Sequence, residues 1–180
     1  MAAPRQMTRH TLDAIKGWPS PYAVDFAAKL SANVPESRRP IFSGTVLRLN
    51  DAGEYELGVG TRDVMPLFAF NNSDDPDVVN EGGDPATERG VWIAISPTGK
   101  MMALPAKGAY ELMSTEFIPD AYLPNDLLTA GDGTTAVDGK LTKGIKGTDT
   151  ICGIVSRGIR DNGHGESALA FWPVIILQGT

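Results

Sequence analysis

The sequence has little of the chemistry that metals and disulfides need: one cysteine and two histidines in 180 residues. A single cysteine, Cys152, cannot form an intramolecular disulfide. Its apolar neighbours in "ICGIV" (151–155) predict a small buried residue. Neither His10 nor His164 has a second histidine or a cysteine at ligand spacing, so the sequence predicts no zinc site.

Long apolar runs are also missing. The longest apolar stretch, "ALAFWPVIIL" (168–177), contains Pro173 and is too short to span a bilayer. Residues 1–12 contain no apolar run of signal-peptide length. We therefore expect a soluble chain that is made in the cytoplasm and has no membrane partner.

The sequence contains partial matches to three catalytic or nucleotide-binding motifs, and none of the three is complete. In "GIVSRG" (153–158) the glycine before Ser156 is one position too far away for a nucleophile elbow. "GVGTRD" (58–63) lacks the third glycine of a dinucleotide fingerprint. "GKLTKGIKGT" (139–148) has Ile145 where a phosphate loop requires lysine. We therefore predict that the protein is not an enzyme and uses no cofactor.

Charge is present but unevenly distributed. Residues 1–48 contain seven Lys and Arg against three Asp and Glu, a net charge of +4, which leaves −10 for the rest of a chain with net charge −6. The acidic remainder argues against a nucleic-acid surface, since phosphate contacts need Lys and Arg. A basic segment on an acidic body indicates either an arm that docks on an acidic partner or an arm that folds back on its own body.

Glycine and proline are plentiful, at 20 and 13 residues, which favours many short strands. In "EYELGV" (54–59) every second residue is apolar, the pattern of a half-buried strand. We predict three hairpins and further strands, and a bulge or edge position at Pro173. The hairpins pair 41–49 with 54–59, 91–95 with 100–104 and 126–130 with 140–144; the other strands are 66–70, 109–113, 151–156 and 168–177. No fixed-period repeat is visible.

The predicted fold class is all-β: a small sandwich-like or barrel-like body of short antiparallel strands at 41–180, preceded by an extended, partly helical N-terminal arm at 1–40. A helix is predicted over 20–32 and a further turn or two over 8–17. The helix would carry one apolar stripe, formed by Tyr22, Phe26 and Leu30. The arm has few apolar residues of its own, so it must pack on something else.

The most acidic stretch, "NNSDDPDVVNEGGD" (71–84), has the oxygen density of a calcium loop. An EF-hand loop needs oxygen ligands at alternate positions and glycine at the sixth. Counting from Asp74, the third position is Pro76 and the sixth is Val79. We therefore predict an acidic, solvated connection between two strands and no metal site.

Several segments together resemble the decoration, or cement, proteins of tailed bacteriophage capsids. The resemblance covers roughly residues 41–178 and consists of strand-and-turn patterns. The segments that carry it are "GTVLRLNDAGEYELGV" (44–59), "MPLFAFNNSDDPDV" (65–78), "AYLPNDLLTA" (121–130), "DGKLTKG" (138–144), "CGIVSRG" (152–158) and "LAFWPVIIL" (169–177).

The resemblance implies a virion structural protein on the capsid exterior, without catalytic residues. Such proteins bind the assembled shell as homo-oligomers at symmetry axes and clamp adjacent major capsid subunits, often through an extended terminal arm. The expected partners are therefore the major capsid protein and further copies of this chain, as a trimer or a dimer. The arm here is longer than in the most compact members, so the docking position and symmetry stay open.

Candidate contact residues follow from this implication, because buried aromatic and arginine side chains dominate interface energies. The capsid-interface candidates are Arg5, Arg9, Trp18, Tyr22, Phe26, Leu30, Arg38 and Arg39. For the aromatic ones, packing on the protein's own body is the alternative. Trp92 and Trp172 are predicted to lie in the core or at an oligomer interface.

Two other functions fit parts of the sequence. A receptor- or carbohydrate-binding module of a virion fibre or tail would need an exposed aromatic platform. A calcium-dependent hydrolase or lectin would need 71–84 to bind the ion.

Overall fold

The computed structural model describes residues 12–16, 26–35, 41–60, 65–69, 100–105, 111–131, 138–163 and 165–176. This part of the chain has eleven β-strands and no helix, so it is all-β as predicted. The strands are β1 (Leu12–Lys16), β2 (Phe26–Lys29), β3 (Val46–Leu49), β4 (Tyr55–Leu57), β5 (Leu67–Ala69), β6 (Lys100–Pro105), β7 (Glu111–Ser114), β8 (Leu127–Thr129), β9 (Thr142–Lys143), β10 (Ile151–Asp161) and β11 (Ser167–Ile176).

The strands form two antiparallel sheets. One sheet has five strands in the order β2-β6-β5-β3-β4, and the other has six in the order β1-β7-β11-β10-β8-β9. Neighbouring strands pair in the antiparallel sense throughout.

The five-stranded sheet closes on itself. An antiparallel sheet with an odd number of strands can close only if its two edge strands run parallel. Leu30, directly after β2, forms a parallel bridge with Tyr55 of β4, and the Ser31 N–H donates to the Tyr55 carbonyl at 2.9 Å. Strands β2–β6 are therefore called the first barrel.

The second sheet closes in the same way. Phe117, after β7, forms a parallel bridge with Leu141, just before β9. The Ile118 N–H donates to the Leu141 carbonyl at 2.8 Å, and the Leu141 N–H donates to the Glu116 carbonyl at 2.9 Å. Strands β7–β11 are therefore called the second barrel, and β1 is an added strand on the outer edge of β7.

The two barrels have the same topology. Taken in chain order within each barrel, the strands follow one another around the ring as first, fifth, fourth, second and third. The registers also agree, because residues that are paired between two strands of the first barrel have equivalents that are paired in the second. The equivalent pairs include Phe26 and Leu112, Tyr55 and Leu141, Leu57 and Lys143, and Leu67 and Gly153.

Backbone hydrogen bonds repeat between the barrels to within about a tenth of an ångström. Gly44 N–H to Ala69 O (2.8 Å) matches Asn125 N–H to Val155 O (2.9 Å), and Gly58 N–H to Val46 O (2.9 Å) matches Gly144 N–H to Leu127 O (2.8 Å). Gly44 and Asn125 both have positive φ, and Asn125 is the one non-glycine among the described residues that does. The chain is thus a tandem duplication of one barrel.

The duplication leaves one short trace in the sequence. "GEYELGV" (53–59) and "GKLTKGI" (139–145) share glycines at the first and sixth positions, an apolar residue at the third and a β-branched residue at the seventh. Gly53 and Gly139 both adopt positive φ. A fixed-period search misses the repeat because the loop between β8 and β9 is longer than the turn between β3 and β4.

Each barrel has its own buried cluster. The first contains Leu47, Tyr55, Leu57, Leu67 and Ala69, with Val34 and Ile41. The second contains Leu112, Leu128, Leu141, Val155 and Phe171 among others, and it also receives Val46, Val59 and Phe68 from the first barrel. Since side chains alternate along a strand, Leu47 and Leu67 fill the first barrel while Val46 and Phe68 leave it on the outer side.

Most strand predictions are confirmed. The pairing of 41–49 with 54–59 is the β3–β4 hairpin, and that of 126–130 with 140–144 is the β8–β9 hairpin. The register between β10 and β11 shifts next to Pro173, so the predicted bulge is present. The strand predicted over 151–156 is longer than expected, because β10 continues to Asp161. The predicted strand at 91–95 lies outside the described residues.

The N-terminal segment contributes β2 to the first barrel and β1 to the outer edge of the second sheet. Within 20–32, where the sequence predicts a helix, residues 26–29 form β2 and pair with β6. Within 8–17, residues 12–16 form β1 and pair with β7. The other residues of 1–40, apart from 30–35, lie outside the described part of the chain.

Gly58 should tolerate alanine less well than Gly53. Both have positive φ, so either alanine should cost about 1–2 kcal/mol in backbone strain. A Cβ at Gly58 would lie 2.7 Å from the Gly131 carbonyl oxygen, whereas nothing lies within 4 Å of one at Gly53. We expect Gly58→Ala to lose a further ~1–3 kcal/mol in urea unfolding. Equal losses for the two variants would contradict this barrel contact.

Candidate interaction surface

The contact between the barrels shows how one outer face of this fold is buried. Val46 and Phe68 are register partners on β3 and β5, and both are fully buried although they point out of the first barrel. The Phe68 ring packs against Phe171 of the second barrel, with ring centroids 5.2 Å apart. Val59, just after β4, joins the same cluster and is 3% exposed.

Backbone hydrogen bonds complete the contact at the base of the β3–β4 hairpin. The Val46 N–H donates to the Gly139 carbonyl at 2.7 Å, and the Val59 N–H donates to the Gly131 carbonyl at 2.8 Å. Gly131 and Gly139 lie on either side of the loop between β8 and β9. The base of one hairpin therefore binds the tip of the next.

The second barrel carries the same apolar face without a partner barrel among the described residues. The equivalents of Val46, Val59 and Phe68 are Leu127, Ile145 and Ile154. Ile145 is 66% exposed, and Leu127 and Ile154 are half-buried. These three positions are apolar in both barrels, although among the described residues only those of the first barrel pack against another barrel.

Two more apolar residues extend this face. Trp172 is the register partner of Ile154 and so points to the same side of the sheet; it is half-buried. Leu123, the equivalent of Phe42 in the turn before the hairpin, is 65% exposed. We call Leu123, Leu127, Ile145, Ile154 and Trp172 the second-barrel face. Leu123 and Ile145 are exposed and the other three are half-buried.

A small charged group supports the rim of the face. The Lys143 amine lies 3.3 Å from the Asp126 carboxylate and 3.9 Å from that of Asp120. It also lies 5.9 Å from the centroid of the Tyr122 ring. The Leu123 N–H donates to Asp126 at 2.9 Å, which lowers the pKa of that carboxyl. These contacts hold residues 120–126 in place beside the exposed Leu123.

Tyr122 anchors the same segment from below. Its hydroxyl donates to the Ile118 carbonyl at 2.6 Å, and its ring packs edge-on against Phe117. Burial, followed by the nearby Asp120 carboxylate, raises the pKa of Tyr122. The closure of the second barrel and the rim of its face are therefore joined through one side chain.

Three described side chains of types that often take part in catalysis lie buried in the fold or within a strand. Cys152 is fully buried, as predicted, and its thiol lies 3.5 Å from the Leu128 carbonyl. Ser156 lies inside β10 and not at a strand-to-helix turn. Glu111 is fully buried, and its carboxylate receives two contacts from Arg157, at 2.9 and 3.0 Å, which tie β7 to β10 across β11.

No cluster of three or more potential metal-ligating His, Cys, Asp or Glu side chains is found among the described residues. In the same part of the chain, no helix is long and apolar enough to cross a membrane. The acidic stretch 71–84 and both histidines lie outside the described ranges.

Few of the predicted contact residues fall within the described ranges. Leu30 closes the first barrel and packs partly buried against its core, so it lies within the protein's own body. Phe26 is in β2, opposite Ala103. Trp172 lies on the second-barrel face and is half-buried. Arg5, Arg9, Trp18, Tyr22, Arg38, Arg39 and Trp92 lie outside the described residues.

Sequence reasoning did not identify Leu123, Leu127, Ile145 or Ile154 as surface residues of interest. A signal existed in the paired "GEYELGV" and "GKLTKGI" segments, whose last residues are Val59 and Ile145. Comparison with protein-family models, with curated proteins and with solved structures gave no match.

Phe68 and Ile154 occupy equivalent positions but should differ in their effect on stability. Phe68→Ala removes a fully buried ring between the barrels and should lower the free energy of unfolding by about 3–5 kcal/mol. Ile154→Ala removes a half-buried side chain and should cost only about 1 kcal/mol. Chemical denaturation measures both; similar costs would contradict the assignment of Ile154 to an open face.

Stability should fall at alkaline pH for an identifiable reason. Burial raises the pKa of Cys152 to about 12 from 9.0 and that of Tyr55 to about 12 from 10.0. Between these values the folded chain holds protons that the unfolded chain has lost, so the free energy of unfolding decreases as pH rises above 9.0. Tyr55→Phe should flatten the decrease above pH 10.0. A pH series of denaturant unfolding curves tests this, and an unchanged slope would refute the contribution of Tyr55.

Proposed function

We propose that this chain is a virion structural protein that binds the outer surface of an assembled tailed-phage capsid and clamps adjacent major capsid subunits. The sequence resemblance to capsid decoration proteins supports the proposal. Two of its segments, 44–59 and 169–177, fall on the β3–β4 hairpin and on β11. The all-β architecture agrees with what the resemblance implies.

The observation that carries the proposal is the position of β1. This strand lies at the outer edge of the six-stranded sheet, where β7 is its one neighbour among the described strands. An outer strand presents unpaired backbone groups to which an extended segment of another protein can add. Main-chain pairing of that kind gives affinity without a deep pocket, as clamping across a flat shell requires.

The distribution of charge also favours docking through the N-terminal segment. Residues 1–48, which include β1 and β2, carry net +4, whereas the rest of the chain carries −10. A basic segment is steered toward acidic surfaces. We therefore place the capsid contact on the N-terminal segment, with Arg5 and Arg9 pairing with capsid carboxylates.

Binding of this kind would stabilise a shell by linkage. A ligand that binds the assembled shell and not the free subunit shifts the equilibrium toward the assembled state. Many copies on one particle add their effects, and two contacts per copy raise the effective affinity further. Weak individual contacts are therefore sufficient.

The exposed apolar side chains favour a protein partner over a sugar. In the described ranges the large exposed apolar residues are all aliphatic: Met65, Leu123, Ile145, Ile159 and Ile175. Sugar-binding modules of the alternative class would present an aromatic platform. Aliphatic patches are typical of protein–protein contacts.

Deletion of residues 1–11 tests the docking segment without removing a described strand. Deletion of 1–40 is unsuitable, because it would remove β2 and open the first barrel. The intact protein should co-sediment with expanded capsids and not with unassembled capsid subunits. The deletion variant should bind at least about tenfold more weakly, since two arginine contacts are lost.

The double variant Arg5→Glu/Arg9→Glu serves as a second test of charge, and circular dichroism checks that both variants stay folded. Full occupancy by the deletion variant would remove the docking role of residues 1–11. Absence of binding by the intact protein to any form of the capsid would contradict the proposed function itself.

A further inference from the structure

The first barrel shows what covers a face of this type: another barrel of the same fold. Its outer residues Val46, Val59 and Phe68 are 0%, 3% and 0% exposed because the second barrel lies on them. The equivalent residues of the second barrel are also apolar, and Ile145 is 66% exposed. We infer that the second-barrel face binds the first barrel of another copy of this chain.

The complementary surface on the second copy follows from the same equivalence. Within the chain, the face of the first barrel meets the hairpin tip beside Gly139, where a Cβ would lie 2.7 Å from the Thr45 methyl group. The equivalent of Gly139 in the first barrel is Gly53, at the tip of the β3–β4 hairpin. Nothing lies within 4 Å of a Cβ at Gly53, and Asp51 and Ala52 beside it are exposed. Each copy therefore offers one face and one hairpin tip.

The contact between copies rests on side chains more than the internal one does. The Ile145 N–H donates to the Asp149 carboxylate at 2.7 Å, so it does not repeat the bond that Val59 makes to Gly131. The turn at Asn50–Gly53 is also shorter than the loop between β8 and β9. Leu123 and Trp172 add apolar area at the rim. At the rim, the Lys143 amine lies near the carboxylates of both Asp120 and Asp126 and offsets part of their charge.

A face that binds a different surface of the next copy makes a heterologous contact. Such contacts close into a ring when the rotation between copies permits, and otherwise continue as a filament. A dimer on a twofold axis needs a self-complementary patch instead. The inference therefore favours a ring or a filament of copies over the twofold dimer. It concerns contacts between copies and does not depend on the capsid role.

Ile145→Asp tests the face on the purified full-length chain in the absence of capsids. Sedimentation velocity over a wide concentration range should show self-association of the wild type, weakened by about tenfold or more in the variant, because a carboxylate would be buried in an apolar contact. Ile159→Asp is the matched control: Ile159 is 42% exposed on β10 but lies off the face. It should associate as the wild type does.

A monomeric wild type at all concentrations would overturn the inference, as would equal behaviour of the two aspartate variants. Because capsids are absent, either result leaves the proposed function untouched. Failure of capsid binding would likewise leave the self-association result standing.

Mixing two variants tests the heterologous arrangement. Ala52→Arg blocks the exposed hairpin tip and leaves the face intact, whereas Ile145→Asp blocks the face and leaves the tip intact. Each variant alone should be monomeric, and an equimolar mixture should form dimers and nothing larger. Wild-type association by Ala52→Arg alone would overturn the assignment of the hairpin tip as the partner surface.

Discussion

Closure of an odd-stranded antiparallel sheet is the constraint on which the rest of this structure depends. Five antiparallel strands leave two edges that run in the same direction, so the ring can be completed only by a parallel contact. Each barrel meets this requirement with one bridge, Leu30 to Tyr55 or Phe117 to Leu141. The residue after each bridge donates the closing hydrogen bond. Both barrels thereby remove edges that would otherwise invite uncontrolled pairing.

Closure of both barrels leaves β1 as the strand with an unpaired edge among the described strands. Because the rings are complete, β1 cannot enter either barrel and lies as a sixth strand on β7. The edge of β1 is thus a local feature of the N-terminal segment and not of the duplicated fold. Duplication supplies a second barrel with the same outer face, and the chain places the N-terminal strand where that second barrel begins.

Part of this architecture could be predicted from the sequence. The β3–β4 hairpin could be predicted because its turn is stabilised locally. The Asn50 side chain accepts hydrogen bonds from the Ala52 and Glu54 N–H groups, each at 2.9 Å. The buried state of Cys152 followed from its apolar neighbours in the same way. The helix predicted over 20–32 rested on a local stripe. Residues 26–29 instead take their hydrogen bonds from β6, far along the chain, and local propensity does not report such pairing.

The duplication was harder to see than the strands. Equivalent positions differ in identity, as at Tyr55 and Leu141, and some also differ in volume and polarity, as at Leu57 and Lys143 or Leu67 and Gly153. Glycine survives where positive φ or close approach requires it, and those few positions are too sparse for a periodic signal. The second-barrel face could be predicted neither from the strand pattern nor from the duplication. An aliphatic residue in an apolar strand gives the same sequence signal whether it is covered or exposed.

The face at Ile145 and the edge at β1 suit two different kinds of contact on one molecule. An apolar face that matches an existing interface specifies how copies meet one another, since shape and burial determine the fit. The strand β1 is itself neutral, since Asp13 offsets Lys16. In the proposed function its open edge pairs with the backbone of another protein, and the basic residues that precede it steer the approach. Acidic bodies that repel one another at long range associate only where apolar surface is presented in register. The net charge of −10 outside the N-terminal segment therefore opposes the contact between copies at long range, so that contact depends on the apolar face.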